Sequence, residues 1–208
     1  MTTITVKTQA EIDAAIATHG ANRDAEIVIT DSPKGVWLEV RTTGSARVTA
    51  TGSVNVHVFG SAKVYAYELA RITAFDSASV YAYDTASVAA FGRAHVTAYD
   101  SASVHAYAWT HVRAYDSASI TASDSAIVRA TDSASVRATG SASVSAFNRA
   151  SVTATGSATV HAYDSTTVYS FGSTSVYATG SATVIASDSD SASVYASGSA
   201  TVIACTTR

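Results

Sequence analysis

The sequence predicts an all-β fold, namely a single-chain parallel β-solenoid (β-helix) built from octapeptide repeats with a short N-terminal strand-helix-strand cap. The octad DSASVYAY at Asp76–Tyr83 recurs with small changes along most of the 208 residues. Every eighth residue over the range 40–184 is Val or Ile, and a two-residue insertion near Asp188 shifts the phase before Val194 and Val202 resume it. A repeat this regular indicates stacked units that bury a continuous core between neighbours.

The first 39 residues are predicted to form the cap. Ile4–Lys7 alternates apolar and polar residues and predicts a short strand. Thr8 and Glu11 then have the spacing of a capping box that begins a helix, and Gly20 can end that helix in the left-handed conformation. Glu26–Thr30 predicts a second strand. Such a segment would cover the open end of a coil, where unpaired backbone groups invite aggregation.

The octads of the predicted solenoid, residues 40–208, follow a turn over residues 31–35 that contains the only proline. We number each octad from its Gly, Asp or Asn, the residue types that tolerate positive φ, and position two is usually Ser. These two positions are predicted to form the corner. Positions three, five and seven are mostly Ala, Val and Ala, as in Ala102, Val104 and Ala106, and are predicted to point inward. Positions four, six and eight vary and are predicted to point outward.

The number of octads in one coil is open between two, giving 16 residues, and three, giving 24. At position eight, Phe and Tyr alternate with a period of two octads. At position six, Arg113 and Arg137 are three octads apart. Because the corner residues are small, we expect three octads.

Composition limits the classes of partner. The net charge of -3 and the few Lys and Arg residues argue against nucleic acid, which needs a basic stripe. Cys205 is the only cysteine, so no internal disulfide is expected. No stretch has the length of a membrane span and the N-terminus lacks the pattern of a secretory signal, so we expect no membrane partner and a location that is open between the cytoplasm and a virion. No cofactor is expected.

Aromatic residues at outward positions are the candidate ligand-binding residues. Position eight is aromatic in eight consecutive octads, and further aromatics occupy position six and one corner. Stacked rings of this kind favour contact with a protein or glycan surface. The candidate residues are Phe59, Tyr65, Tyr67, Phe75, Tyr81, Tyr83, Phe91, Tyr99, Tyr107, Trp109 and Tyr115.

Two other classes of function are alternatives to a non-catalytic structural or recognition rod. Threonine pairs such as Thr153 and Thr155 could order water and bind ice, but they do not recur in register for more than a few octads. Aspartates at position one suggest a polysaccharide-active β-helix enzyme, but the turn explains them, and Glu39 and Glu68 lack a carboxylate companion. No catalytic residue is assigned. No metal site is predicted either, since no Cys or acidic column accompanies the histidines.

The C-terminal residues predict an uncapped coil. After Val202 the sequence ends in IACTTR, with no helix or proline that would cover the last strand. An open strand edge is a template for pairing with another chain. We therefore expect this end to be buried by self-association or by another component.

Residues 44–204 resemble the DSASVxAY and GSATVxAY arrays of uncharacterised bacterial and bacteriophage proteins. The resemblance implies an octapeptide-repeat β-solenoid, and a setting in a phage or phage-like particle. A looser resemblance is to the octad needles of contractile-tail spikes, which wind three chains together, whereas three inward columns and a helical cap favour a single-chain coil here.

Overall fold

The chain is an all-β parallel β-solenoid with one N-terminal helix, as the sequence predicts. The computed structural model describes residues 2–33, 35–42, 44–187 and 191–205. The insertion near Asp188, Lys34 in the predicted turn and the last three residues lie outside this described part. The fold divides into two compact units, residues 1–104 and 105–208.

Three elements precede the octads: β1 (Thr2–Val6), α1 (Gln9–His19) and β2 (Ala25–Thr30). The remaining strands, in chain order, are β3 (Trp37–Val40), β4 (Arg47–Thr51), β5 (Asn55–Val58), β6 (Lys63–Ala66), β7 (Arg71–Ala74), β8 (Ser79–Ala82), β9 (Ser87–Ala90), β10 (His95–Ala98), β11 (Ser103–Ala106), β12 (His111–Ala114), β13 (Ser119–Ala122), β14 (Ile127–Ala130), β15 (Ser135–Ala138), β16 (Ser143–Ala146), β17 (Ser151–Ala154), β18 (Thr159–Ala162), β19 (Thr167–Ser170), β20 (Ser175–Ala178), β21 (Thr183–Ser187), β22 (Ser193–Ala196) and β23 (Thr201–Cys205).

Helix α1 begins with the predicted capping box. The Thr8 hydroxyl accepts a hydrogen bond from the Glu11 amide, and the Glu11 carboxylate accepts one of 3.1 Å from the Thr8 amide. The left-handed end predicted at Gly20 is wrong, because its φ is −58° and its amide still donates to the Ile16 carbonyl at 2.8 Å. Glycine is needed there for space, since a Cβ would lie 2.5 Å from the Ile16 carbonyl oxygen.

Each coil contains two octads, so the expectation of three was wrong. In residues 1–104, Val64 pairs with Val80, and in residues 105–208, Val112 pairs with Val128, so each pair is sixteen residues apart. Strands alternate between two parallel sheets. In residues 1–104 these have the orders β1-β2-β4-β6-β8-β10 and β3-β5-β7-β9, and in residues 105–208 the orders β12-β14-β16-β18-β20-β22 and β13-β15-β17-β19-β21-β23. Below, within each unit, sheet A denotes the sheet of the even-numbered strands, which in the first unit also contains β1, and sheet B denotes the other.

The corners have the predicted geometry. Position one has positive φ at Gly, Asp and Asn alike, for example 62° at Gly60 and 57° at Asp76. Glu68 and Ala108 also adopt it, with φ of 58° and 55°, although neither residue type favours this region. The position in the octad therefore sets the conformation, and an Asp, Asn or Gly at this position lowers the free energy needed to adopt positive φ.

The inward positions form the core, as predicted. Ala78 and Ala82 are completely buried and Val80 is 1% exposed. Threonine replaces the first alanine in a few octads. Thr166 satisfies its hydroxyl by donating to the Tyr163 carbonyl at 2.6 Å, whereas Thr110 Oγ1 is buried without a hydrogen-bond partner among the described residues.

Candidate functional site

The predicted aromatic run of residues 1–104 divides between the two sheets. Because a coil contains two octads, alternate members of the run follow strands of sheet A and sheet B. Phe75 stacks on Phe59 and Phe91 at centroid distances of 4.9 and 5.6 Å. On the other sheet, Tyr83 stacks on Tyr67 and Tyr99 at 4.8 and 4.9 Å. The predicted stacked rings therefore form two ladders, each joining rings sixteen residues apart.

A third stack lies on the outer face of sheet A. Tyr65 and Tyr81 are register partners on β6 and β8, and their ring centroids are 5.0 Å apart. Arg47 connects this pair with the neighbouring ladder, since its guanidinium lies 4.0 Å from the Tyr65 ring centroid and its Nη2 donates to Tyr67 Oη at 2.9 Å. The tyrosine surface, the name used below, consists of Tyr65, Tyr67, Tyr81, Tyr83, Tyr99, Arg47 and Lys63.

Charged side chains fix the tyrosine surface at the N-terminal end. Glu26 accepts a 2.8 Å hydrogen bond from Thr49 and lies 3.4 Å from Arg47 Nε. Lys63 Nζ lies 4.8 Å from the Tyr81 ring centroid. A hydrogen bond with the Tyr65 side chain raises the pKa of Lys63 above its ordinary value, because it favours the charged ammonium. Both cations therefore contact ring faces of the surface.

Tyr83 occupies the middle of its ladder and is partly desolvated there. Burial raises the pKa of the Tyr83 hydroxyl above its ordinary value, and the neighbouring Tyr67 and Tyr99 raise it further. Both causes disfavour the tyrosinate anion. The Tyr83 hydroxyl therefore stays neutral, and able to donate a hydrogen bond, to a higher pH than an ordinary tyrosine.

The other predicted residues lie in the unit of residues 105–208. Tyr107 and Tyr115 are half-buried and follow β11 and β12, which belong to different sheets. Trp109 is at corner position two and is 62% exposed. The structure thus places the three residues of the second unit on a corner and two different sheets, not in one ladder.

The second unit also has stacks that lie outside the predicted set. Tyr163 stacks on Phe147 at 4.7 Å, and the Arg129 guanidinium lies 4.4 Å from the Phe147 ring centroid. On sheet A, Tyr177 stacks on His161 and Tyr195 at 4.9 and 5.1 Å. The signal in the sequence is aromatic residues spaced by 16 or, across the insertion, 18.

A groove on sheet B of residues 1–104 was also missed. It has a volume of about 920 Å³ and combines one tryptophan, one leucine and one arginine with hydroxyl and amide side chains. Leu69 occupies a corner position where most octads have Ser, and it is 62% exposed. That departure from the octad is the sequence signal. The described lining residues are Ser32, Gly35, Trp37, Ser53, Asn55, Leu69, Arg71, Thr85 and Ser87.

The last two described strands expose side chains that are buried elsewhere. Val202 occupies the inward position of β23 and is 47% exposed, whereas its register partner Val184 on β21 is completely buried. Ala196 of β22 and Ala204 of β23, also at inward positions, are exposed. The structure therefore has an apolar surface at β22 and β23.

The corner aspartates bond to the neighbouring coil. Oδ2 of Asp84 accepts a 3.1 Å hydrogen bond from the Glu68 amide, and Oδ2 of Asp164 accepts one of 3.0 Å from the Asn148 amide. These carboxylates are thus engaged with backbone donors. Within the described residues no group of three or more His, Cys, Asp or Glu side chains is arranged to hold a metal ion.

Comparison with protein-family models, with curated proteins and with solved structures finds no significant match to the chain. The family and the setting implied by the octads therefore stay predictions. In the described part of the chain, no helix has the length and hydropathy needed to cross a membrane.

Proposed function

We propose that the chain is a non-catalytic structural and recognition module that binds a protein partner through the tyrosine surface. The observation that carries the proposal is the ordered array of tyrosines, whose rings lie 4.8 to 5.0 Å apart on, or directly after, neighbouring strands of sheet A. Tyr and Arg are enriched where binding energy concentrates in protein interfaces. Rings already fixed in ladders lose little conformational entropy on binding.

A glycan is the second kind of partner expected from the aromatic ladders. Sugars stack on exposed aromatic faces, but within a ladder each ring face covers the next, as in Tyr67, Tyr83 and Tyr99. Arg47 also covers a face of Tyr65. The tyrosine surface therefore offers ring edges and hydroxyls over most of its area, which favours a protein over a glycan.

Two alternatives fit the arrangement less well. Ice binding needs unbroken rows of hydroxyls, but Arg137 lies between Thr121 and Thr153 in one column of sheet B. A polysaccharide-active enzyme needs a pair of free carboxylates, whereas corner aspartates such as Asp84 and Asp164 accept hydrogen bonds from backbone amides. Thermal hysteresis and polysaccharide cleavage assays on the pure protein test these alternatives directly.

The test of the tyrosine surface uses the double variant Tyr65→Thr with Tyr81→Thr. Thr49 and Thr97 already occupy the same column, so the variant keeps residues suited to the strand. Tyr169→Thr is the matched control, since it removes an exposed tyrosine from sheet B. Proteins of the host cell retained by the immobilised chain are identified by mass spectrometry, and each retained protein is then purified for affinity measurement.

We expect one such protein to bind the chain and the Tyr169→Thr control equally, and to bind the double variant at least tenfold more weakly. Equal affinity for all three proteins, or retention of no protein at all, would count against recognition by the tyrosine surface. The particle setting implied by the octads is tested by the same identification.

We also propose that copies of the chain associate through the apolar surface at β22 and β23. Val202 and Ile203 are 47% and 46% exposed there, and burial of such side chains favours association. Light scattering at increasing concentration should show a rising mass that Val202→Lys abolishes. A molecular mass that stays at the monomer value at high concentration would contradict this proposal.

A further inference from the structure

One wall of the groove on sheet B of residues 1–104 is a column of four side chains that can contact a ligand. Trp37 pairs with Asn55, Asn55 with Arg71, and Arg71 with Ser87, on the adjacent strands β3, β5, β7 and β9. All four line the groove. Because neighbouring strands are about 4.8 Å apart, the column is roughly 14 Å long. It therefore presents an aromatic ring, an amide, a guanidinium and a hydroxyl at regular intervals.

Two side chains of the column, Trp37 and Arg71, have features that favour a ligand. Trp37 is 41% exposed although His57 stacks on it at 4.5 Å, so part of its ring remains available. Arg71 is exposed, and its side chain makes no ion pair or hydrogen bond with the described residues. It is also the one charged side chain among the described lining residues. The described lining therefore carries one positive charge, two strands away from an aromatic ring.

We propose that this groove binds an acidic oligosaccharide, with a hexuronate carboxylate on Arg71. The planar guanidinium donates two parallel hydrogen bonds to a carboxylate. The hexuronate ring packs against Leu69, the sugar on one side of it packs against Trp37 and bonds to Asn55, and the sugar on the other side bonds to Ser87. The single cation pairs with one carboxylate of the ligand, and the hydroxyl and amide groups of the lining match the hydroxyls of its sugar rings.

The size of the groove supports a small ligand in place of a folded protein. Its volume of about 920 Å³ lies within the range of small-molecule sites. The lining also differs from the tyrosine surface, since His57 is the one ring that stacks on Trp37 among the described residues, whereas Tyr83 has a stacked tyrosine on each side. This inference does not depend on the function proposed for the tyrosine surface.

The test measures binding of tri-galacturonate and its methyl ester to the full chain by isothermal titration calorimetry. Esterification removes the carboxylate charges and keeps the sugar rings. Arg71→Ser and Leu69→Ser place the commonest residue of positions four and two, so both variants keep a side chain that the fold accommodates. Arg137→Thr is the matched control, because it removes an equal charge from sheet B outside the groove and its register partners are Thr121 and Thr153.

The chain and the Arg137→Thr control should bind tri-galacturonate at least tenfold more tightly than the ester. Arg71→Ser should lose this preference, and Leu69→Ser should weaken binding of both ligands. Equal binding of acid and ester, an unchanged preference in Arg71→Ser, or no binding of the acid overturns the proposal. Tyr65→Thr with Tyr81→Thr should bind tri-galacturonate as the unaltered chain does, which separates this site from the tyrosine surface.

Discussion

The Gly60 amide donates a 3.1 Å hydrogen bond to Oδ2 of Asp76, sixteen residues further along the chain and one coil away. Asp84, Asp100, Asp124 and Asp164 accept the same bond from the residue sixteen positions before them. An aspartate at position one thus has two roles. It tolerates the positive φ of the corner, and it satisfies a backbone donor of the neighbouring coil.

Substitutions at Asp164 separate these two roles. Asp164→Gly keeps the backbone freedom and loses the bond to the Asn148 amide, so we expect a loss of about 1 kcal/mol in the free energy of unfolding. Asp164→Ala should lose about 1 kcal/mol more, because alanine is strained at φ 55°. Asp164→Asn keeps both features and should be nearly neutral. Urea unfolding measures the series, and equal stability of the Gly and Asn variants would show that the bond contributes nothing.

Thr110 and Thr166 should respond in opposite directions to the same substitution. Thr110→Val removes a buried hydroxyl that lacks a partner among the described residues, so it should raise the free energy of unfolding by about 1 kcal/mol. Thr166→Val breaks the 2.6 Å bond to the Tyr163 carbonyl and should lower it by about 1 kcal/mol. Thermal unfolding compares the two. The prediction fails if both changes shift the melting temperature in the same direction.

The tyrosine ladder should make the fold sensitive to alkaline pH. Burial raises the pKa of Tyr83 in the folded state, so its stabilising contribution is complete below the unfolded pKa of about 10. It is lost as the pH rises through the higher folded pKa. Tyr83→Phe should reduce the fall in stability over that window, whereas Tyr195→Phe is the matched change outside the ladder. Identical pH profiles for Tyr83→Phe and the unaltered chain would contradict the shift.

The capping box should make the stability of the fold depend on pH in the acid range. Hydrogen bonds from the Lys7 and Thr8 amides lower the pKa of Glu11 below 4.5, so its contribution is present above that value and is lost as the pH falls through the lower folded pKa. Glu11→Gln should flatten this part of the stability profile, as followed by circular dichroism of the helix signal. An acid profile that Glu11→Gln leaves unchanged would refute the assignment.

Much of the fold could be predicted because the octad repeats its requirements. Inward alanines and valines such as Ala78 and Val80 are buried, and position one has positive φ at Asp76. The coil length was misjudged because small corner residues suit a tight two-sheet coil as well as a triangular one. Arg113 and Arg137, three octads apart, lie on β12 and β15 of different sheets.

The candidate site could be predicted only in part. The aromatic residues were identified from their outward positions, but which rings touch depends on which octads are neighbours. Once a coil contains two octads, Tyr67 must meet Tyr83, and Phe59 must meet Phe75. The groove could not be predicted because it joins Trp37, which precedes the regular octads, with Leu69 and Arg71 of later coils.

The most direct test of the two-octad coil is disulfide formation between introduced cysteines, in a background where Cys205 is replaced by Ser. Ser143 and Thr159 are register partners on β16 and β18, sixteen residues apart, and strands about 4.8 Å apart bring two cysteines within disulfide range. We expect Ser143→Cys with Thr159→Cys to cross-link on mild oxidation. Ser143→Cys with Thr167→Cys, which joins β16 to β19 of the other sheet, should not. Cross-linking of the second pair and not the first would contradict the coil and the aromatic ladders built on it.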